Sequence, residues 1–263
     1  LPPRSAPPPA RLLLMLDDRL AAVPFAVLHW PDGRALVDTS TITLVPAGLR
    51  ADSFVPLARP SRIDVLIAAA VGDRSGRLPA LPRASDELSL VRGALAGVDV
   101  VGDAGAAFTR ERLRTALEQP QSWLHVAAHG TNDARLQSYS GLWLPGSDRP
   151  VFVSWLDLVE RPVRVDLLLL SACNLAGGID RGVAGAANFA TALSAAGAHH
   201  VVAALWPLSD SAGTEFTRAF YAGLGGADAP DPAAALLAAQ RRLRASPHFR
   251  HPYYWSLFVH LQH

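Results

Sequence analysis

The sequence predicts an α/β fold in which helices cover both faces of a mostly parallel central sheet. Apolar runs of strand length alternate along the chain with longer amphipathic segments of helical period. Two of these runs, residues 122–130 and 165–174, are apolar on both faces, as buried strands of a parallel sheet are. The chain has 263 residues, of which 50% are hydrophobic and 18% charged, so it has the size and composition of a globular protein with a large core.

The chain divides into three predicted parts. Residues 1–10 are rich in proline and predict an extended linker. Residues 11–60 predict a small β-rich extension packed on the core, and residues 61–263 the main domain.

Within the extension, three features carry the prediction. The apolar run at residues 12–16 starts a packed helix or strand and is too short to cross a membrane. Asp32 and Gly33 favour a hairpin turn. Residues 35–45 alternate like a half-exposed strand.

Strands and helices alternate regularly through the main domain. Besides the two buried runs, strands are predicted at residues 63–71, 98–101, 199–206 and 254–261. Helices are predicted at residues 87–96, 109–118, 183–196, 211–224 and 231–244, with a short helix before the second buried run. Three helix starts have specific signals, with Thr109 as an N-cap, Ser154 in a capping box with Asp157, and Asp231 followed by proline.

The candidate catalytic residues lie at the ends of the two buried runs. Cys173 is the only cysteine and ends one run, whereas His129 and Gly130 end the other. Ligand crevices of open α/β folds lie at the carboxyl ends of parallel strands. If the two strands are neighbours their ends lie about 5 Å apart, or about 10 Å with one strand between, and the thiol and imidazole can face each other across a cleft. Such a pair points to nucleophilic catalysis.

Each residue taken alone has a plainer interpretation. A lone cysteine is typically a small buried hydrophobe, and the nine histidines of the chain are mostly expected in ordinary surface or core positions. The combination of the two residues is more specific. His129 lies 44 residues before Cys173, and caspases place a histidine roughly 50 residues before their cysteine.

With these residues the chain resembles the CHAT domain, a bacterial caspase-like module that is related to separase and usually follows tetratricopeptide repeats. The resemblance covers most of the chain. Its segments are residues 23–29, 81–88, 123–130, 168–173, 195–198, 202–210 and 252–255. The chain departs from the family's pattern after the cysteine, where Asn174 and Leu175 stand in place of an acidic residue and a threonine.

The resemblance implies a caspase-like three-layer α-β-α sandwich and a cysteine endopeptidase with a dyad of His129 and Cys173. The chemistry of these residue types agrees, because an imidazolium lowers the pKa of a neighbouring thiol and later protonates the leaving amine. By the same resemblance, the backbone amides of Gly130 and Cys173 form the oxyanion hole. Asn132 and Asp133 are candidates for orienting His129, although both are also common loop residues.

Two residues are candidates for the substrate pocket. Ser171 stands two positions before the cysteine, where relatives that cleave after arginine or lysine often have an acid, so a basic preference is disfavoured. Arg83 lies where caspases that cleave after aspartate have a pocket arginine, or else is a solvated loop residue. Cleavage preference therefore stays open, with a small or apolar residue favoured.

Several other functions are disfavoured. The net charge is +1 and no basic cluster exceeds Arg241, Arg242 and Arg244, so direct binding of nucleic acid is not expected. No glycine-rich phosphate loop is present, and no cofactor is expected. His125 and His129 are separated by about 13 Å if they lie on one strand, which is too far for one metal ion.

The expected setting follows from the single cysteine and from the resemblance. One cysteine excludes an intramolecular disulfide and fits a reducing cytoplasm. The resemblance implies a protein substrate, control by upstream tetratricopeptide repeats or an activating partner, no association with a membrane, and a role in bacterial cell death or anti-phage defence. The competing hypothesis is a catalytically silent scaffold that keeps the fold for regulation.

Overall fold

The computed structural model describes residues 8–15, 20, 23–45, 55–68, 81–131, 140–173, 184–207, 209–226 and 229–263, with only the backbone described for residues 172, 173 and 184–188. The strands of this part are β1 (Arg11–Met15), β2 (Thr41–Val45), β3 (Arg62–Ile67), β4 (Asp99–Ala104), β5 (Ser122–Thr131), β6 (Gly141–Leu144), β7 (Val151–Ser154), β8 (Leu167–Cys173), β9 (His200–Ala204) and β10 (Phe258–Gln262). The helices are α1 (Leu36–Thr39), α2 (Ala84–Ala94), α3 (Arg110–Leu117), α4 (Trp155–Val159), α5 (Ala184–Ala195), α6 (Asp210–Gly225), α7 (Pro232–Ala245) and α8 (Pro252–Trp255).

The strands form one sheet with the order β1-β2-β10-β9-β8-β5-β3-β4. From β9 to β4 every neighbouring pair is parallel, and β10 pairs antiparallel with β9. The strands β2 and β1 continue the sheet beyond β10 and run parallel to it. Two further strands, β6 and β7, form an antiparallel extension from the carboxyl end of β5. The predicted mostly parallel sheet is confirmed.

Apolar side chains fill both faces of the sheet. On one face, α2, α6 and α7 contribute buried residues such as Val91, Phe216 and Leu236. On the other face, α3 and α5 contribute residues such as Leu113 and Phe189. The result is the expected three-layer arrangement of helices, sheet and helices. None of the described helices is both long enough and apolar enough to cross a membrane.

The predicted helix starts are confirmed at the three positions that carried signals. Thr109 Oγ1 accepts a hydrogen bond from the Arg112 amide, and Asp231 Oδ1 accepts from the first amides of α7. Ser154 and Asp157 exchange the two hydrogen bonds of a capping box at α4. Each cap contributes about 1 kcal/mol by binding amides that have no partner within the helix.

Two predictions for the extension are wrong. Residues 35–45 do not form one strand, because Leu36 and Val37 are both buried and begin the short helix α1 before β2. Asp32 and Gly33 lie in a turn that closes with a single isolated bridge instead of a hairpin of two strands. Hydrogen bonds from Arg34 to the Asp32 carboxylate stabilise this local turn.

The last predicted strand begins later than the sequence indicated. Pro252 opens α8, and the imidazole of His251 accepts a hydrogen bond from the Tyr253 amide at the start of that helix. The strand β10 starts at Phe258. Proline at the first helical position outweighs the strand preference of the aromatic residues that follow it. The hairpin of β6 and β7 was not predicted.

A chain of hydrogen bonds connects β2, β10 and β9 at the amino end of β9. Thr43 Oγ1 lies 3.0 Å from His260 Nδ1, and His260 Nε2 lies 3.0 Å from His200 Nδ1. The other ring nitrogen of His200 donates to the Val55 carbonyl, which can only accept. With both imidazoles neutral, each of these hydrogen bonds has one donor and one acceptor. Burial lowers the pKa of His260 well below its usual range and lowers the pKa of His200 to about 4.

These shifts predict that the folded chain loses stability in mild acid. Because the unfolded chain binds protons near pH 6.5 and the folded chain binds them only near pH 4, full stability is present above pH 6.5 and is lost as the pH falls toward 4. His200 alone accounts for about 3 kcal/mol of this loss. Urea unfolding of the wild type at several pH values measures it.

The matched variants are His200→Gln and His248→Gln, the second of which changes an exposed histidine. We expect His200→Gln to flatten the pH dependence and His248→Gln to leave it as in the wild type. An equally steep pH dependence in His200→Gln contradicts the assignment.

Candidate functional site

The two candidate catalytic positions lie side by side at one edge of the sheet. β5 and β8 are neighbouring parallel strands, and their register runs from the pair of Trp123 and Leu167 to the pair of His129 and Cys173. Backbones of neighbouring strands lie about 4.8 Å apart. Of the two spacings that the sequence allowed, the shorter one is present, and both residues stand at the carboxyl ends of their strands.

The sequence of β5 explains why His129 is held at this place. Every residue from Ser122 to Gly130 is buried, so both faces of the strand are fixed by packing. Trp123 and Ala127 belong to the apolar core under α2 and α6. Strand alternation places His129 on the same face. His129 is only 2% exposed.

The remaining predicted site residues take different positions. Gly130 is buried and pairs with Leu142 of β6. Ser171 is buried beside Ala127, one alternation before the end of β8. Arg83 is exposed at the start of α2. Asn132 and Asp133 lie outside the described residues, as do residues 174–180 that follow the cysteine.

The start of α2 is hydrogen-bonded to the start of α6. The backbone amide of Arg83 donates to Asp210 Oδ2 at 2.7 Å, and both helices begin at the carboxyl edge of the sheet on the His129 face. Burial raises the pKa of Asp210, partly offset by the hydrogen bond from Arg83. Sequence reasoning did not select Asp210, because behind the N-cap Ser209 it has the ordinary appearance of an acidic first turn.

A buried polar cluster that sequence reasoning missed lies farther down the same face. His125 Nε2 lies 2.7 Å from Glu87 Oε2, and Thr217 Oγ1 donates to the same carboxylate oxygen. The His125 ring stacks on Tyr221 with 5.7 Å between ring centres. All four residues are at most 2% exposed. Burial and the nearby Glu87 charge raise the pKa of Tyr221 well above its usual range.

This cluster connects α2, β5 and α6 beneath the edge that carries His129. The approach of His125 to Glu87 has an ion-pair distance, but its angle is not that of a hydrogen bond. The cluster had signals in the sequence: His125 interrupts an apolar strand, and Glu87 falls between Ala84 and Val91 on the buried side of α2.

Aromatic residues flank the edge on both sides. At the end of β9, the Trp206 indole donates to the Tyr253 carbonyl, and the Tyr253 hydroxyl donates to the Pro207 carbonyl. Tyr253 is exposed, so this group belongs to the rim of the edge, whereas Trp255 is buried in the core. On the other side, Trp143 of β6 is the register partner of His129.

The described side chains include no group of three or more histidine, cysteine, aspartate or glutamate residues placed to hold a metal ion. His125 and His129 lie on one face of β5, four residues apart, which separates them by about 13 Å. His260 lies within hydrogen-bond distance of both His200 and Thr43.

Comparison with solved structures shows similarity to caspase-like cysteine peptidases. A crystal structure of the Saccharomyces cerevisiae separase–securin complex matches 95% of this chain with a TM-score of 0.59 and 14% identity, and the match covers 15% of that chain. The pro- and mature domains of RgpB from Porphyromonas gingivalis match 85% of this chain with a TM-score of 0.54 and 9% identity, covering 55% of that chain. A further structure of the Arg specific cysteine proteinase gingipain R overlaps with a TM-score of 0.47 and 10% identity.

The TM-scores of 0.59 and 0.54 show a fold shared with the first two proteins, and the chain spans only a part of each of them. No curated protein matches the chain significantly. Residues 2–262 match the CHAT domain family. The match covers nearly the whole sequence, so the predicted resemblance is confirmed and the chain belongs to the CHAT domain family.

Proposed function

We propose that the chain is a cysteine endopeptidase in which His129 and Cys173 form the catalytic dyad. The observation that supports this most directly is their pairing in register at the carboxyl ends of β5 and β8. The strand spacing of about 4.8 Å lets an imidazole and a thiol reach each other from these positions. Membership of a family with a caspase-like peptidase fold agrees with the proposal.

The proposed reaction has two steps. His129 takes the thiol proton, and the thiolate of Cys173 attacks the carbonyl carbon of the scissile peptide bond. The amides of Gly130 and Cys173 donate to the negative oxygen of the tetrahedral intermediate. His129 returns the proton to the leaving nitrogen as the C–N bond breaks, which leaves a thioester on Cys173. Water then hydrolyses the thioester, releasing the acid and regenerating the thiol.

The substrate pocket is assigned by position alone. Ser171 stands one alternation before Cys173 on β8, and Arg83 stands at the start of α2 on the same edge. A neutral, small Ser171 fits cleavage after a small or apolar residue. The hydrogen bond from the Arg83 amide to Asp210 fixes the backbone on this side of the proposed pocket.

We further propose that the peptidase acts on a protein substrate in the bacterial cytoplasm and is controlled by upstream tetratricopeptide repeats or an activating partner. A role in cell death or anti-phage defence follows only from the family. Control is chemically reasonable because an unregulated endopeptidase harms its own cell.

One observation favours the alternative of a catalytically silent scaffold. A general base must reach the substrate, but His129 is 2% exposed. Activity therefore requires His129 to become accessible when an activator or substrate binds. In a silent scaffold His129 stays buried.

Mutation of the dyad tests the proposal. We expect the wild type to cleave members of a diverse peptide library, tested with and without the upstream region. Cys173→Ala and His129→Ala each reduce kcat/KM by about a thousandfold or more, because neither residue activates the reaction alone. His248→Ala, at an exposed histidine, is the matched control and retains activity. Full activity in Cys173→Ala, or silence of every wild-type form, contradicts the peptidase.

The contact between Glu87 and His125 predicts that substitutions of these two residues are coupled. Glu87→Leu and His125→Leu each lower the free energy of unfolding by about 3 kcal/mol, because each leaves the other group buried without its partner. The double variant recovers most of this loss, since two apolar side chains pack together without a charge. Denaturant unfolding of the four proteins measures the coupling.

Asp86→Leu is the control for the Glu87 variants, because Asp86 is the exposed neighbour in the same helical turn. It changes the free energy of unfolding by less than about 0.5 kcal/mol. Additive losses in the double variant contradict a direct interaction between Glu87 and His125.

A further inference from the structure

One row of register partners runs across four strands through the proposed dyad. Cys173 of β8 pairs with His129 of β5, His129 pairs with Trp143 of β6, and Trp143 pairs with Phe152 of β7. Partners in register have neighbouring positions on one face of a sheet. The row therefore leads from the proposed nucleophile, past the proposed base, to two large aromatic residues.

Trp143 and Phe152 are held in fixed orientations, and we call these two residues the aromatic platform. The Trp143 indole donates to Thr131 Oγ1 at 2.6 Å, which keeps the ring on the His129 face of the hairpin. Its ring lies 5.1 Å from the Phe152 ring at a tilt of 54°. Gly141 permits this packing, because a Cβ there would lie 2.8 Å from Phe152 and 2.1 Å from the Val153 carbonyl.

The platform remains partly accessible, although Trp143 also packs against the apolar core. Both of its residues are only partly buried, unlike Leu142, Leu144 and Val153, which the same two strands send into the interior. Val151 next to Phe152 is exposed. Partly exposed aromatic rings with fixed orientations are typical of surfaces that bind apolar side chains, because they lose little entropy on binding.

The chemistry of the dyad indicates which side of the scissile bond faces the platform. In the proposed reaction the acyl carbon bonds to Cys173, while the leaving nitrogen must come within hydrogen-bond reach of His129. The direction from Cys173 to His129 is therefore the direction in which the substrate continues after the scissile bond. The same direction leads on to Trp143.

The distance along the row indicates which substrate residue arrives there. Two strand spacings separate Cys173 from Trp143, or about 10 Å. An extended peptide advances about 3.3 Å per residue. About three residues after the scissile bond therefore span the distance to the platform.

We infer that the aromatic platform binds a large apolar or aromatic side chain two or three residues after the scissile bond. The inference rests on the proposed function and names a preference on the leaving-group side of that site. Trp143 is the main contact because it is nearer to the dyad, and Phe152 supports its ring.

Two kinds of substrate test this inference. The best peptide from the library is prepared with Phe or with Ala at the second and third residues after the cut, and its acyl half is also joined directly to aminomethylcoumarin. The coumarin amide ends at the scissile bond and cannot reach the platform. We expect the wild type to cleave the Phe peptide with a kcat/KM about tenfold above that of the Ala peptide.

Trp143→Leu is expected to reduce the preference for Phe to about twofold or less while the rate with the coumarin amide stays within about twofold of the wild type. Phe152→Leu gives a smaller reduction and serves as the second variant if Trp143→Leu does not fold. Trp155→Leu changes another half-buried tryptophan, on α4, and is the matched control that retains the preference. A preference for Phe that survives in both platform variants overturns the inference.

The failure of the inference is distinguishable from the failure of the proposed function. Equal cleavage of Phe and Ala peptides by an active wild type overturns the platform and leaves the peptidase intact. Silence of the wild type contradicts the peptidase, and binding of fluorescent library peptides to Cys173→Ala then decides the platform. Tighter binding of Phe-containing peptides that Trp143→Leu abolishes supports it, and equal binding of Phe- and Ala-containing peptides overturns it.

Discussion

The parallel pairing of β5 with β8 is the constraint on which the candidate site depends. Its seven register pairs fix His129 opposite Cys173. A slip of one residue would move the whole alternating pattern of one strand to the other face of the sheet. Trp123, Leu124, Leu167 and their neighbours prevent such a slip because both faces of both strands are packed. The register that positions the proposed chemistry is therefore maintained by apolar burial along the strands.

The helices on the His129 face add a second layer of constraint. α2 and α6 follow different strands, yet they are joined at their starts by the Arg83 amide and Asp210 and farther along by the Glu87 cluster. Buried polar groups of this kind contribute little net stability but have few alternative partners in an apolar interior. They favour one relative position of the two helices. In that position the helix starts lie beside the sheet edge that carries His129 and Cys173.

The same edge combines three chemically different regions. The proposed dyad lies at the centre. The hydrogen-bonded starts of α2 and α6 lie on the His129 face of the sheet, and aromatic groups lie on both flanks. The opposite edge carries the neutral pair of His200 and His260, which joins the N-terminal strand β2 to the core. The division of the chain at residue 61 stays a prediction, and β1 and β2 continue the same sheet as the main domain.

The sequence by itself determined the fold class, most element positions, the helix caps and the two positions proposed for catalysis, because periodicity, capping residues and strand-end residues are local signals. It did not determine that β5 and β8 are direct neighbours, that Glu87 points inward to His125, or that β6 and β7 form a hairpin beside His129. These features depend on contacts between segments that lie up to 44 residues apart in the sequence. Only tertiary packing selects such partners, since a buried side chain is defined by what the rest of the chain places around it.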